Sequence, residues 1–198
     1  MKITTLLIVI LMSASIFAQK EKNPSTNIDQ FIFNQKGLNP KSISVEIKGL
    51  KKEDLADKIE AWSEFKFGKT KGKTEKKATG ESETAKGKKG KKVKVKGFTY
   101  NAICADVDNK RNCENVDYTI DIEIEDGKYI FKPSKLSYNG NTNKKGNEID
   151  LSKSEFHESQ EKLKTEYSKV PSQIEDLFNT INKSLYNFIN DLEQEDEM

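Results

Sequence analysis

The 198 residues contain one histidine, one arginine, one tryptophan and two cysteines. A single histidine leaves nucleophile–histidine catalysis little to draw on. That residue, His157, stands among Glu155, Glu158 and Glu161 and reads as a surface residue. A single arginine, Arg111, excludes an arginine cluster built for bidentate grip on phosphate or carboxylate. The cysteines, Cys104 and Cys113, do not have C-x-x-C spacing and have no histidine near them in sequence. No metal or cofactor is expected. After the first 18 residues, no apolar run approaches the roughly 20 residues needed to cross a bilayer.

Those first residues have their own pattern. Lys2 is followed by a nearly unbroken apolar run from Ile3 to Met12, then by small residues and Ala18-Gln19. That order of charge, apolar core and small-residue boundary is the pattern of a secretory leader, cut after Ala18. The apolar run is too short for a membrane anchor. No cysteine follows the boundary to carry a lipid. The mature chain is expected in a periplasm or outside the cell. The expected layout is a leader at 1–18, a linker and strand at 19–40, an α+β domain at 41–140, and C-terminal helices with an acidic tail at 141–198.

Charge is abundant but nearly balanced, at +2 overall. Lys66 to Lys96 holds thirteen Lys against three Glu, whereas Asp150 to Met198 holds twelve acids against five Lys. The basic stretch is poor in apolar residues and cannot bury a face. It is expected to form two weak strand segments around a loop near Gly80 to Gly90.

Ile43, Val45 and Ile47 alternate with polar residues, as in a half-buried strand. Leu55, Ile59, Trp62 and Phe65 share one helical face between Lys51 and Gly68. Val93 and Val95, then Phe98 and Tyr100, change parity across Gly97, where a bulge would put both sets on one face. Val116, Tyr118, Ile120, Ile122 and Ile124 form the cleanest alternation, and Asp126-Gly127 signals a hairpin to Tyr129 and Phe131. Ser152 with Glu155 forms a capping box for a helix to about Lys169. Pro171 opens a second helix striped by Ile174, Leu177, Ile181, Leu185, Phe188 and Leu192, thickened by Phe178 and Ile189. The economical arrangement is α+β: a mostly antiparallel sheet with helices on one face, in the order β-α-β-β-β-β-α-α.

Three local patterns bear on chemistry. A two-residue turn at Asp108-Asn109 would set Cys104 opposite Cys113, about 4.5 Å apart at Cα and within disulfide range. The same register turns Phe98 and Tyr100 to the other face. A bulge or odd-length turn would restore the faces and offset the cysteines, so buried free thiols or a redox role stay open. Asp106-Val107-Asp108-Asn109 begins like a calcium loop, but Lys110 and Arg111 occupy the next required positions. Gly68-Lys69-Thr70 and Gly72-Lys73-Thr74 lack the upstream glycines of a phosphate loop.

Ile47 to Leu55 (IKGLKKEDL), running on to Ala61-Trp62, resembles the opening of the exported Bacteroidota family called domain of unknown function 4468. Tyr118 to Tyr129 (YTIDIEIEDGKY) is similar to that family's central hairpin, and Val170 to Phe178 (VPSQIEDLF) to the tail of its longer members. The resemblance implies a fold like that of the TATA-binding protein. It implies no catalytic residue, since the family carries no known activity. The stretch Lys69 to Lys92 departs from the family's usual pattern.

The expected role is a non-enzymatic envelope module that binds or assembles with a partner. Lys73, Lys76, Lys77, Lys86, Lys88, Lys89, Lys91 and Lys92 are the candidates for holding a polyanion, an anionic glycan or lipid, by charge. Their bland alternative is a solvated edge that resists sheet-to-sheet aggregation. A protein partner, or docking of the acidic tail on the basic stretch, are further options. Nucleic acid is disfavoured for an exported chain. The competing class is an enzyme with an unconventional carboxylate site, which would need a pocket enclosing two acids.

Overall fold

A computed structural model describes residues 28–68, 81–87, 90–108, 110–139, 147–156 and 164–192; for 81–87, Gly90 and Lys91 it describes the backbone path. The expected leader, the first part of the linker, Lys73, Lys76, Lys77, Lys88, Lys89, His157 and the acidic tail after Leu192 lie outside the described residues. Among the described residues, no helix is long and apolar enough to cross a membrane.

The alternating run forms the middle of an antiparallel sheet. Its strands are β3 (Ile43–Glu46), β4 (Glu81–Gly87), β5 (Gly90–Val107), β6 (Lys110–Glu125) and β7 (Lys128–Asn139), ordered β3-β7-β6-β5-β4. A short β8 (Asn147–Ile149) pairs with the far end of β7. Val116, Tyr118, Ile120, Ile122 and Ile124 on β6 are all buried, with Val93 and Val95 on one side and Tyr129 and Phe131 on the other. The side-chain period of two assigns all of them to one face. A separate hairpin, β1 (Ile32–Asn34) with β2 (Gly37–Asn39), adds Phe33 and Leu38 to the core.

Helix α1 (Lys52–Phe67) buries Leu55, Ile59 and Trp62, each worth about 1.5–3 kcal/mol relative to exposure. Its last core contact is Phe67, edge-on to Trp62 at 5.4 Å, rather than Phe65, which is 70 % exposed and lies 6.0 Å from Phe188. Lys51 makes no side-chain cap. Instead Asp126 Oδ1, in the β6–β7 turn, accepts the Lys52 N–H at 3.0 Å. A carboxylate there meets both an orphan donor and the positive end of the helix. Gly127 holds φ +70°, which the turn demands of glycine.

Helix α2 (Val170–Ile189) carries Pro171 in its first turn and buries Ile174, Phe178, Ile181, Leu185 and Ile189. The stripe is rotated from the expected one: Leu177 and Phe188 are only half-buried. Polar side chains along this helix satisfy groups elsewhere. Gln173 Oε1 accepts the Cys104 N–H, Glu175 Oε1 the Phe33 N–H and Asn182 Oδ1 the Tyr129 hydroxyl. Asn179 bonds both backbone groups of Phe31, at 2.8 and 3.0 Å. The helix thereby closes open backbone positions that no strand reaches.

Several expectations are corrected. No helix starts at Ser152: residues 150–156 form turns in which Ser152 bonds Asp150, and a 3₁₀ turn, Thr165–Tyr167, precedes α2. The described residues therefore carry one long C-terminal helix. Gly97 is not a bulge but a paired residue opposite Tyr118, whose buried ring crosses it; the bulge falls at Thr99/Ile103. Finally, β4 passes straight through the expected loop, with Gly87 opposite Gly90. A ladder to β5 satisfies its backbone without needing an apolar face.

Candidate functional site

The outer face of the sheet is the mirror of its core. Lys92, Lys94 and Lys96 project from β5, and Asp121 and Glu123 from β6. Lys92 Nζ lies 2.6 Å from Glu123 Oε1 and Lys94 Nζ 3.7 Å from Asp121 Oδ1. The register sets Glu81 and Glu83 of β4 opposite Lys96 and Lys94, and Lys132 of β7 opposite Asp121. Columns of charge thus alternate in sign from strand to strand. Exposed pairs contribute under about 1 kcal/mol each, but together they neutralise the face. Of the eight lysines expected to hold a polyanion, Lys92 is engaged with an acid. Lys86 and Lys91 are paired with each other in the ladder beside the β4–β5 turn. The other five lie outside the described residues.

Cys104 and Cys113 are disulfide-bonded and directly opposite in register. The turn beyond them joins Val107 to Lys110, with Asp108 at φ +53°. The bulge at Thr99/Ile103 shifts the ladder by two residues, so Phe98 and Tyr100 keep the outer face; Tyr100 is 60 % exposed. Asn101 adopts φ +49° there, and its N–H is held by Asn115 Oδ1 at 2.9 Å.

The inner face ends in a cleft. Helix α2 starts at Val170, and beyond it the sheet continues as Ile103 and Ala105 on β5 and Asn112 and Glu114 on β6. Phe156, Lys164 and Tyr167 roof this end, and Tyr138 and Ile149 close one side. The enclosed space is about 370 Å³. Phe156 and Tyr167 sit 5.4 Å apart, and Lys164 Nζ lies 5.9 Å from the Tyr167 ring centre. The Lys164 N–H to Phe156 carbonyl bond, 2.9 Å, fixes the roof. The lining thus mixes apolar and aromatic side chains with a few polar groups, a combination also found in small-molecule sites. Glu114 is half-buried and Glu155 exposed. Among the described residues, no group of three metal-ligating side chains occurs.

None of the cleft residues stands out in the sequence as a site. Phe156, Lys164 and Tyr167 fall within the stretch expected to be a helix, and Asn112 and Glu114 within a strand. Their convergence depends on α2 stopping short of the sheet's end.

No family model and no curated protein matches the sequence. Two solved structures are similar to it. A TBP-like protein from Parabacteroides distasonis is 16 % identical, with a TM-score of 0.45, over 77 % of this chain and 92 % of its own. A DUF4468 family protein from Bacteroides ovatus is 11 % identical, with a TM-score of 0.53, over 79 % of this chain and 87 % of its own. At that identity the likeness is one of architecture: the chain shares the α+β fold of a DUF4468 family protein.

Proposed function

We propose that this chain is an exported, non-enzymatic binding module whose ligand seat is the cleft at the disulfide end of the sheet. The observation that carries the reading is the stretch of inner sheet beyond α2 which, among the described residues, is roofed by Phe156, Lys164 and Tyr167. Export rests on the leader pattern at Lys2 to Ala18. The lining suits a ligand with an apolar body and hydrogen-bond donors, such as a glycan. Asn112, Glu114 and Glu155 supply acceptors, and Lys164 one cation. Two carboxylates in the lining disfavour a polyanion, and the paired lysines of the outer face do not invite one.

The test is an ¹⁵N-NMR titration of the mature protein with neutral envelope oligosaccharides. Perturbations should gather at Ile103, Asn112, Glu114 and Tyr167 and vanish in Tyr167→Ala. In a parallel titration with an anionic oligosaccharide, stronger perturbations confined to Lys92 to Lys96 and weakening with salt would refute the cleft in favour of charge-driven binding. Hydrolysis of the oligosaccharide that stops in Glu114→Gln would favour the enzyme reading. Export is checked by N-terminal sequencing of the envelope fraction, which should begin at Gln19.

A further inference from the structure

We infer that Cys104–Cys113 is a thiol-exchange site, opened by a dithiol that attacks Cys113 and expels Cys104. Three observations converge on it, none of which depends on the cleft's binding a ligand. First, the two cysteines are unequally accessible: Cys113 is exposed, whereas Cys104 is 6 % exposed. An incoming thiolate therefore meets Cys113 first. Second, Arg111, the chain's sole arginine, directs Nη2 at Cys104 Sγ from 3.7 Å. A cation that close favours the thiolate form of a leaving sulfur. A thiol of lower pKa is the better leaving group. The thirty-three lysines and one arginine of this chain are thus distributed so that the one fixed, always-charged fork lies beside the buried sulfur.

Third, among the described residues, the disulfide clamps a ribbon with no third strand beside it. β4 pairs with β5 only up to Lys96, and β7 with β6 only from Asn115. Among the described residues, 103–107 and 110–114 are laddered to each other alone, and a two-stranded ribbon is held less firmly than a strand inside a sheet. The Cys104 N–H is held by Gln173 Oε1 at 2.8 Å, so β5 stays on α2 while the Cys113 strand is free to yield.

In the exchange, the attacking thiolate bonds to Cys113 Sγ as the Cys113–Cys104 bond breaks and its electron pair leaves on Cys104 Sγ, beside Arg111. The second thiol of the reductant, as its thiolate, then attacks the mixed disulfide and releases Cys113 as a thiolate, which takes a proton from water. The chain gains two electrons and the dithiol is oxidised to a disulfide. Ile103, Ala105, Asn112 and Glu114 alternate with the cysteines on this ribbon, so its loosening would reach the cleft floor.

The test is native-state reduction by dithiothreitol near neutral pH, quenched by alkylation and followed by mass spectrometry. Wild type should be reduced without unfolding, and Arg111→Ala roughly tenfold more slowly. Arg111→Lys should recover most of the rate, and all three should react alike in denaturant. In a parallel reaction with reduced glutathione in place of dithiothreitol, the trapped mixed disulfide should map to Cys113. Equal native rates for wild type and Arg111→Ala, an adduct on Cys104, or reduction only at the rate of global unfolding would each overturn the assignment and leave the bond a fixed staple.

Discussion

Gly97→Ala isolates one packing contact whose cost follows from distances. A Cβ on Gly97 would lie 2.1 Å from Tyr118 Cζ and 2.3 Å from its hydroxyl oxygen. Carbon–carbon contacts settle near 3.5–4.0 Å, so the ring would have to retreat by more than about 1 Å. It has little room. Tyr118 is 4 % exposed, with Phe67 edge-on at 6.5 Å and Phe178 at 6.4 Å, and its hydroxyl bonds Thr99. Overpacking of this kind costs about 1–3 kcal/mol, partly offset by the 0.5–1 kcal/mol that Ala gains over Gly in a strand. The expected loss is about 1 kcal/mol, or roughly 2–4 °C in Tm for a chain of this size. Urea unfolding followed by the fluorescence of the buried Trp62 measures it. The decisive form is a double-mutant cycle. Tyr118→Ala alone should cost about 3–5 kcal/mol, and in that background Gly97→Ala should be neutral or stabilising by about 0.5 kcal/mol. Additive losses would refute the claim that glycine is required by the ring.

Three further outcomes follow from individual contacts. Asn179→Ala strips partners from both backbone groups of Phe31 and should cost about 1–3 kcal/mol, with faster amide exchange in β1 and β2. Burial, with Tyr186 adding to it, pushes the Tyr129 phenol above its ordinary range. The folded form keeps that proton while an unfolded chain releases it near pH about 10, so the stability it contributes is complete below that pH and is lost as pH rises. Tyr129 should stay silent in a 295 nm alkaline titration until the protein unfolds. The Ser152 hydroxyl and then its N–H, each donated to Asp150 Oδ1, hold that carboxyl below the usual range. Its contribution is present above the ordinary Asp value and is lost as pH falls through the lowered one. Ser152→Ala should move the Asp150 NMR midpoint upward.

The central sheet was legible because one face is buried. Burial enforces the period of two on Val116 to Ile124, and Asp126-Gly127 fixes where the chain reverses. The helical faces were legible to within a rotation. Phe65 and Phe67 fit the α1 stripe about equally well, and only the position of Phe188 decides which points outward. The parity change at Gly97 was misread because a missing side chain can mean either a bulge or a neighbour's ring, and local pattern does not distinguish them. The helix expected from Ser152 rested on a capping box, but Ser152 spends its hydroxyl on Asp150, two residues back, and a turn wins. The cleft was not legible at all. It is a gap between the end of one element and the end of another, and gaps leave no periodicity.

Asn179 has a consequence for the order in which the chain is completed. It grips Phe31 across 148 positions of sequence, and Glu175 grips Phe33 across 142. The Phe31 and Phe33 N–H groups therefore wait for these partners until residue 179 has been made. A ribosome could not release this molecule half-finished with its beginning already settled, and a truncation before residue 179 should set the front of the chain adrift as surely as it removes the back.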